Sequence, residues 1–198
     1  MNNSASFNYI DGVAFHCYAG DVSAQSRVKA MYPTKDIYFT ECSGTFSLGD
    51  FQTNLLWNVN NLVIGATRNW AKTVLLWNLA LDEKGNPNVG GCRNCRGVVT
   101  INSKDGSITK NEEYYTLAHF GRVSVRGAYR VNSTESFGNL RSVAYLNPDQ
   151  SRAMIVTNDG PNASPFSVQE GSRIFYYTIP KFSVVSFYWV QPKSTAQE

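Results

Sequence analysis

Ile37-Tyr38-Phe39-Thr40-Glu41-Cys42-Ser43-Gly44 is an apolar, strand-like run that stops at a carboxylate and a turn. An ionised carboxylate held against apolar strand walls is costly unless neighbours hydrogen-bond it or a function retains it. Strand C-termini are also where parallel α/β folds assemble their active sites. Two other runs follow the same logic: Gly12-Val13-Ala14-Phe15-His16-Cys17-Tyr18 before it, and Val74-Leu75-Leu76-Trp77-Asn78-Leu79-Ala80-Leu81 after it. Each ends in side chains suited to holding a polar, ring-shaped ligand, and Glu41 is the candidate catalytic group among them.

Working outward, the periodicity predicts strands and helices in alternation over the first ~120 residues. A strand over 10–18 leads to a short helix with Asp21 at its cap, Val22, Val28 and Met31 on its apolar side, and Pro33 as its stop. A strand over 37–41 precedes a longer helix capped by Asp50, in which Leu55, Leu56, Val59, Leu62 and Val63 recur at helical spacing until Gly65 ends it. A strand over 73–81, a loop over 82–96, a short apolar segment over 97–101 and a helix over 112–120 closed by Gly121 complete this part. Beyond Gly121 the period becomes two, in short aromatic and β-branched runs over 123–131, 141–146, 152–157, 166–169, 173–179 and 182–190. Asn147-Pro148-Asp149 and Asn158-Asp159-Gly160-Pro161 are the clearest turns between them.

This pattern predicts an α/β part over 1–121 followed by an antiparallel β-sandwich over 122–198. Three parallel strands fall short of the eight of a closed (β/α)8 barrel, which typically takes ~250 residues. The chain is therefore expected to be a fragment whose strand edges would promote aggregation unless another chain covers them.

Composition narrows the class. Hydrophobic residues at 42% and aromatics at 13% are enough for a packed core with ring-stacking surfaces to spare, while a net charge of +3 with dispersed Lys and Arg leaves no stripe to neutralise a phosphate backbone. A nucleic-acid partner is not expected on that ground. No apolar run approaches the ~18 residues of a spanning helix. Met1 to Ser6 carries neither a basic region nor an apolar signal core.

Four cysteines occur, Cys17, Cys42, Cys92 and Cys95. A local disulfide, plain thiols and half a metal site all fit the close pair Cys92 and Cys95; the disulfide is favoured, because zinc needs four ligands and only His16 and His119 stand beside the cysteines. Cys17 and Cys42 alternate away from the side carrying His16, Tyr18 and Glu41, and are expected as buried, inert thiols. For the remaining candidates a plainer account competes with a site role. A His in an apolar strand is more often a satisfied core residue, and Glu41 alone would pass for a strand-end surface group. Trp77 shares a side with Leu75 and Leu79, which suits packing as well as a sugar platform, and Asn78 on the opposite side suits a hydrogen bond fixing the strand end. Trp57 and Trp70 read as core or rim packing, His119 and Trp189 as structural.

These residues resemble glycoside hydrolase family 30, the glucosylceramidases and endo-β-1,6-glucanases. Gly12 to Tyr18 is similar to the family's sixth barrel strand, Tyr38-Phe-Thr-Glu41-Cys-Ser-Gly44 to its seventh, and Leu75-Leu-Trp77-Asn78-Leu-Ala-Leu81 to its eighth. Gly90 to Val99 and Tyr115 to Gly121 resemble the tail of the barrel. The resemblance implies a C-terminal barrel portion with its β-sandwich, and a retaining β-glycosidase whose nucleophile is Glu41. His16, Tyr18, Trp77 and Asn78 would bind a β-glucoside or glucan. It puts the acid/base on the fourth barrel strand, in the missing N-terminal half, since Glu112, Glu113 and Glu135 fall in a predicted helix or turn. It also implies an extracellular setting and no metal or organic cofactor, two carboxyls and water being sufficient. A noncatalytic carbohydrate-binding or structural module, using the sandwich and its aromatic surface, is the rival expectation.

Overall fold

The computed structural model describes residues 4–47 and 49–190; of the N-terminal stretch read for a leader, residues 1–3 lie outside them. The chain divides after Thr116 into two compact units.

In the first unit, a single turn α1 (Ser4–Phe7) precedes β1 (Gly12–His16), α2 (Ala24–Met31), β2 (Asp36–Glu41), β3 (Gly44–Thr45) and α3 (Phe51–Asn58). The same helical rod continues as a π-helical stretch, Val59–Gly65, and ends in α4 (Ala66–Arg68) before β4 (Ala71–Val74), β5 (Ala80–Leu81), β6 (Cys95–Arg96), β7 (Val99–Ile101) and β8 (Ile108–Lys110); α5 (Glu112–Gly121) begins in this unit and ends in the second. Strands β1, β2 and β4 form a parallel sheet in that order. Its inner side packs Phe39, Cys42, Phe15, Cys17 and Val74 on Leu62 and Ala66 of the long helix and on Val22.

Several sequence expectations change here. Asp21 is not the cap of α2, whose N-cap is Ser23; its carboxylate instead accepts from the Ser23 N–H at 2.9 Å. Gly65 does not end the helix: a Cβ at this position would stand 2.9 Å from the Asn60 carbonyl oxygen, so glycine is present because the wide π turn brings backbone close. Met31 is 63% exposed and does not join the apolar side of α2. The run over 73–81 is not one strand. Leu75 N–H still donates to Phe39 and Trp77 N–H to Cys42, but then Asn78 and Leu79 accept from Val98 and Val99, and β5 pairs with β7 in a separate sheet with β8. The chain thus changes sheets at Trp77 and Asn78.

In the second unit, β9 (Tyr129–Val131), β10 (Ser136–Phe137), β11 (Leu140–Leu146), β12 (Arg152–Asn158), β13 (Ser164–Glu170), β14 (Arg173–Ile179) and β15 (Ser183–Trp189) follow. Strands β10, β11, β12 and β15 form an antiparallel sheet with β9 also on β11, and β13 and β14 form a hairpin. Leu140, Ala144, Met154, Val156 and Ile179 make the core, with Phe166, Val168, Phe187 and Trp189 against it. Both asparagine turns are locked from within. Asn147 is buried and its amide donates to Val123 O and Ser151 Oγ; Asn158, also buried, donates to Asn162 O and Pro180 O. His119 Nδ1 meets Ser186 Oγ at 2.9 Å, and burial holds the imidazole below its ordinary pKa, in keeping with a structural part. The architecture is that of a barrel portion followed by an antiparallel sandwich.

Candidate active site

The ladder between β1 and β2 pairs Phe15 with Phe39 and then His16 with Glu41, passing over Thr40. In an unbroken strand Glu41 would share the side of Ile37 and Phe39, which are both buried in the core. The bulge reverses the alternation. Glu41 is turned to the side of His16, and Cys42 takes the core side beside Cys17.

That geometry corrects the reading of the two isolated thiols. Cys17 and Cys42 come one step after the His16–Glu41 pair on adjacent strands, with Cα atoms 5.3 Å apart, and are joined in a disulfide. Cys92 and Cys95 form a second bridge. Cysteines with free thiols are absent among the described residues.

Around Glu41, whose side chain is 22% exposed, the structure gathers His16 and Tyr18. His16 Nδ1 lies 3.6 Å from Glu41 Oε1, longer than a hydrogen bond but an ion pair once the imidazole is protonated. The two rings meet edge to face with centroids 5.9 Å apart. Partial burial, then a hydrogen bond to Glu41 and the negative field of that carboxylate, push the Tyr18 hydroxyl up to about 12, so it stays a donor.

A cavity of about 770 Å³ opens at this carboxylate, lined by Tyr18, Glu41, Trp57, Asn58, Trp77 and Glu113 together with both disulfides. Trp77 and Leu75 are about half exposed and Leu79 is 77% exposed, so core packing does not account for Trp77. Asn78 is not in the lining; its carbonyl accepts from Val98, and it serves the change of sheets. Trp57, read from the sequence as packing, is instead 46% exposed on the cavity wall. The signal for it was available: Thr53, Asn54, Trp57 and Asn58 recur on one side of α3, opposite Leu56 and Val59.

Behind the cavity lies a buried charge cluster. Arg96 Nη2 is 3.0 Å from Glu112 Oε2 and 2.9 Å from Glu113 Oε1, and Asn54 Nδ2 donates to Glu112 Oε1 at 3.1 Å. Glycine is required at Gly44 because a Cβ there would collide with Glu113 Oε1. The Asn111-Glu112 dipeptide begins a helix, not a strand end, and Glu112 is committed to Arg96. Among the described residues, no group of three or more His, Cys, Asp or Glu is arranged to hold a metal, and no helix is long and apolar enough to cross a membrane.

Residues 127–187 match the glycosyl hydrolase family 30 β-sandwich domain. The chain resembles the C-terminal portion of family 30 enzymes. It is 34% identical to an endo-1,6-β-D-glucanase of Trichoderma harzianum over 92% of its own length and 37% of that protein. To the lysosomal acid glucosylceramidase of Mus musculus it is 24% identical, over 96% of this chain and 39% of that one. The solved endo-β-1,6-glucanase BT3312 superposes with a TM-score of 0.90 at 32% identity, covering 96% of this chain and 43% of the other. The chain thus spans under two fifths of the length of these two curated family 30 relatives.

Proposed function

We propose that this chain carries the nucleophile of a retaining family 30 β-glycosidase acting on β-linked glucosides. The observation that supports it is the bulge-directed Glu41 carboxylate, flanked by His16 and Tyr18 at the mouth of a cavity that also presents Trp77. In double displacement a Glu41 oxygen bonds to the anomeric carbon as the glycosidic C–O bond breaks, and a second carboxyl group ~5 to 5.5 Å away protonates the leaving oxygen. The same second group then takes a proton from water, whose oxygen displaces Glu41 and frees the sugar. The Tyr18 hydroxyl donates to the carboxylate and orients it, and Trp77 offers an indole to the apolar face of the ring.

The other cavity carboxylate, Glu113, is held by Arg96, so the acid/base comes in this reading from a further segment of polypeptide, the N-terminal half of a barrel. This chain alone is then inactive. Substrate is a glucan or glucosylceramide-like β-glucoside, as the names of the relatives suggest. Two disulfides favour an oxidising, extracellular or lumenal setting.

The test is a chimera in which this chain replaces the matching C-terminal part of the Trichoderma enzyme. It should hydrolyse β-1,6-glucan, Glu41→Gln should abolish that activity, and Glu41→Gly should be rescued by azide with formation of a glycosyl azide. Full hydrolysis by the Glu41→Gln chimera would refute the assignment and leave the sandwich as a binding module.

A further inference from the structure

Trp57 has no part in the chemistry of Glu41, yet it presents nearly half its surface to the same cavity while its chain neighbours Leu56 and Asn58 are buried. A large indole left open on a cavity wall, at a junction where the helix widens from α3 into the π stretch, is what a ligand-binding surface requires and a core does not. Two further observations lie beside it. Asn58 is only 7% exposed and its amide nitrogen Nδ2 has no hydrogen-bond partner among the described residues; Glu113 is 3% exposed and its Oε2 is likewise unpaired. Both residues belong to the lining. A buried polar group without a partner is costly, and it is matched by a ligand that brings one.

Resting on the glycosidase reading, we propose that Trp57 is a second sugar-stacking platform, so that the cavity takes two consecutive pyranose rings. One ring lies against Trp77 beside Glu41, the next against Trp57, with Asn58 and Glu113 as polar partners for hydroxyls of the second ring. A cavity of about 770 Å³ is ample for more than one ring. A hydroxyl both donates and accepts, so it complements an amide N–H and a carboxylate oxygen alike. The alkyl chain of a glycolipid in the same place would leave both groups buried and unpaired. Trp57 therefore makes the site favour a sugar over a lipid on the far side of the scissile bond.

The test is calorimetric titration of the chimera with the Trichoderma enzyme, carrying Glu41→Gln so that it does not hydrolyse its ligands, with glucose, with the β-1,6-linked disaccharide and trisaccharide of glucose, and with octyl β-glucoside below its micelle-forming concentration. The disaccharide should bind about tenfold tighter than glucose. Trp57→Ala should remove that gain without changing glucose affinity, and Trp57→Phe, which keeps a ring and guards against misfolding, should retain most of it. Equal affinities for glucose and disaccharide, a preference for octyl β-glucoside, or a gain that survives Trp57→Ala would each overturn the inference. If glucose still binds and Trp77→Ala weakens it, the glycosidase reading stands without the second platform. Failure of every sugar to bind would remove both.

Discussion

His16 stands opposite Glu41, Nδ1 to Oε1 3.6 Å, because the parallel ladder passes over Thr40. One skipped residue has two effects at once. It turns the carboxylate out of the core toward the imidazole and the Tyr18 phenol, and it sends Cys42 inward to Cys17. The bridge then holds together the two strand ends that present the site, so the alignment of Glu41 with His16 is fixed by a covalent bond one residue beyond it.

The raised Tyr18 pKa yields the first prediction. Partial burial is its largest cause, followed by the hydrogen bond and the charge of Glu41. Glu41→Gln removes the charge and weakens the bond, so the Tyr18 pKa should fall from about 12 toward, but not to, the ordinary 10. The sign for stability follows from the folded state holding its proton to higher pH than the unfolded state. The contribution is complete below pH 10 and is lost as pH rises toward about 12. Tyr18→Phe should flatten the stability curve in that window. Tyrosinate difference absorbance, wild type against Tyr18→Phe in each background, reads the first effect, and urea unfolding against pH reads the second.

The Arg96 cluster gives a second. Its guanidinium is shared by two carboxylates whose side chains are 6% and 4% exposed, and removing the cation leaves both buried without a counter-charge. Arg96→Met should cost about 3–5 kcal/mol, whereas Gly44→Ala, which pushes Glu113 off its seat, should cost about 1–3 kcal/mol. Urea unfolding midpoints measure both. An Arg96→Met protein of unchanged midpoint would mean that the cluster is not held as described.

Strands β1 and β2 were readable because apolar runs ending in polar groups carry their own signal, and the sandwich because alternation and turn residues repeat. The bulge at Thr40 was not, since a register step between strands leaves no mark in composition. Without it the Cys17–Cys42 pairing could not be deduced, each cysteine looking like a small core residue. The run over 73–81 read as one strand because apolar character cannot tell a strand from a crossing between two sheets. Strand β8 was missed because Ile108, Thr109 and Lys110 are all exposed and lack an apolar pattern. Gly65 misled because the steric demand it meets, the nearby Asn60 carbonyl, belongs to a π turn that spacing alone does not reveal. For the site, Glu41, His16, Tyr18 and Trp77 come together in space, while Asn78 serves the backbone and Trp57 takes the place on the wall.

The two disulfides differ in what they enclose, and that difference is the basis of the third prediction. Cys17 and Cys42 are separated by 25 positions and Cys92 and Cys95 by 3. In the chain-entropy account a bridge stabilises by restricting the unfolded chain, more for the longer loop, which gives about 3.5 kcal/mol for the first and about 2 kcal/mol for the second. Replacing Cys17 and Cys42 together by serine should therefore lower the urea midpoint more than replacing Cys92 and Cys95, and it should also release the strand ends that carry His16 and Glu41. The Cys92–Cys95 pair lines the cavity but joins no strands of the parallel sheet, so its loss should leave the hydrogen bond between Tyr18 and Glu41, and with it the high Tyr18 pKa, in place. Unfolding curves and the tyrosinate titration of the two double-serine variants decide the matter: equal midpoints, or a Tyr18 pKa that drops only when Cys92 and Cys95 are replaced, would refute the idea that the inner bridge fixes the site.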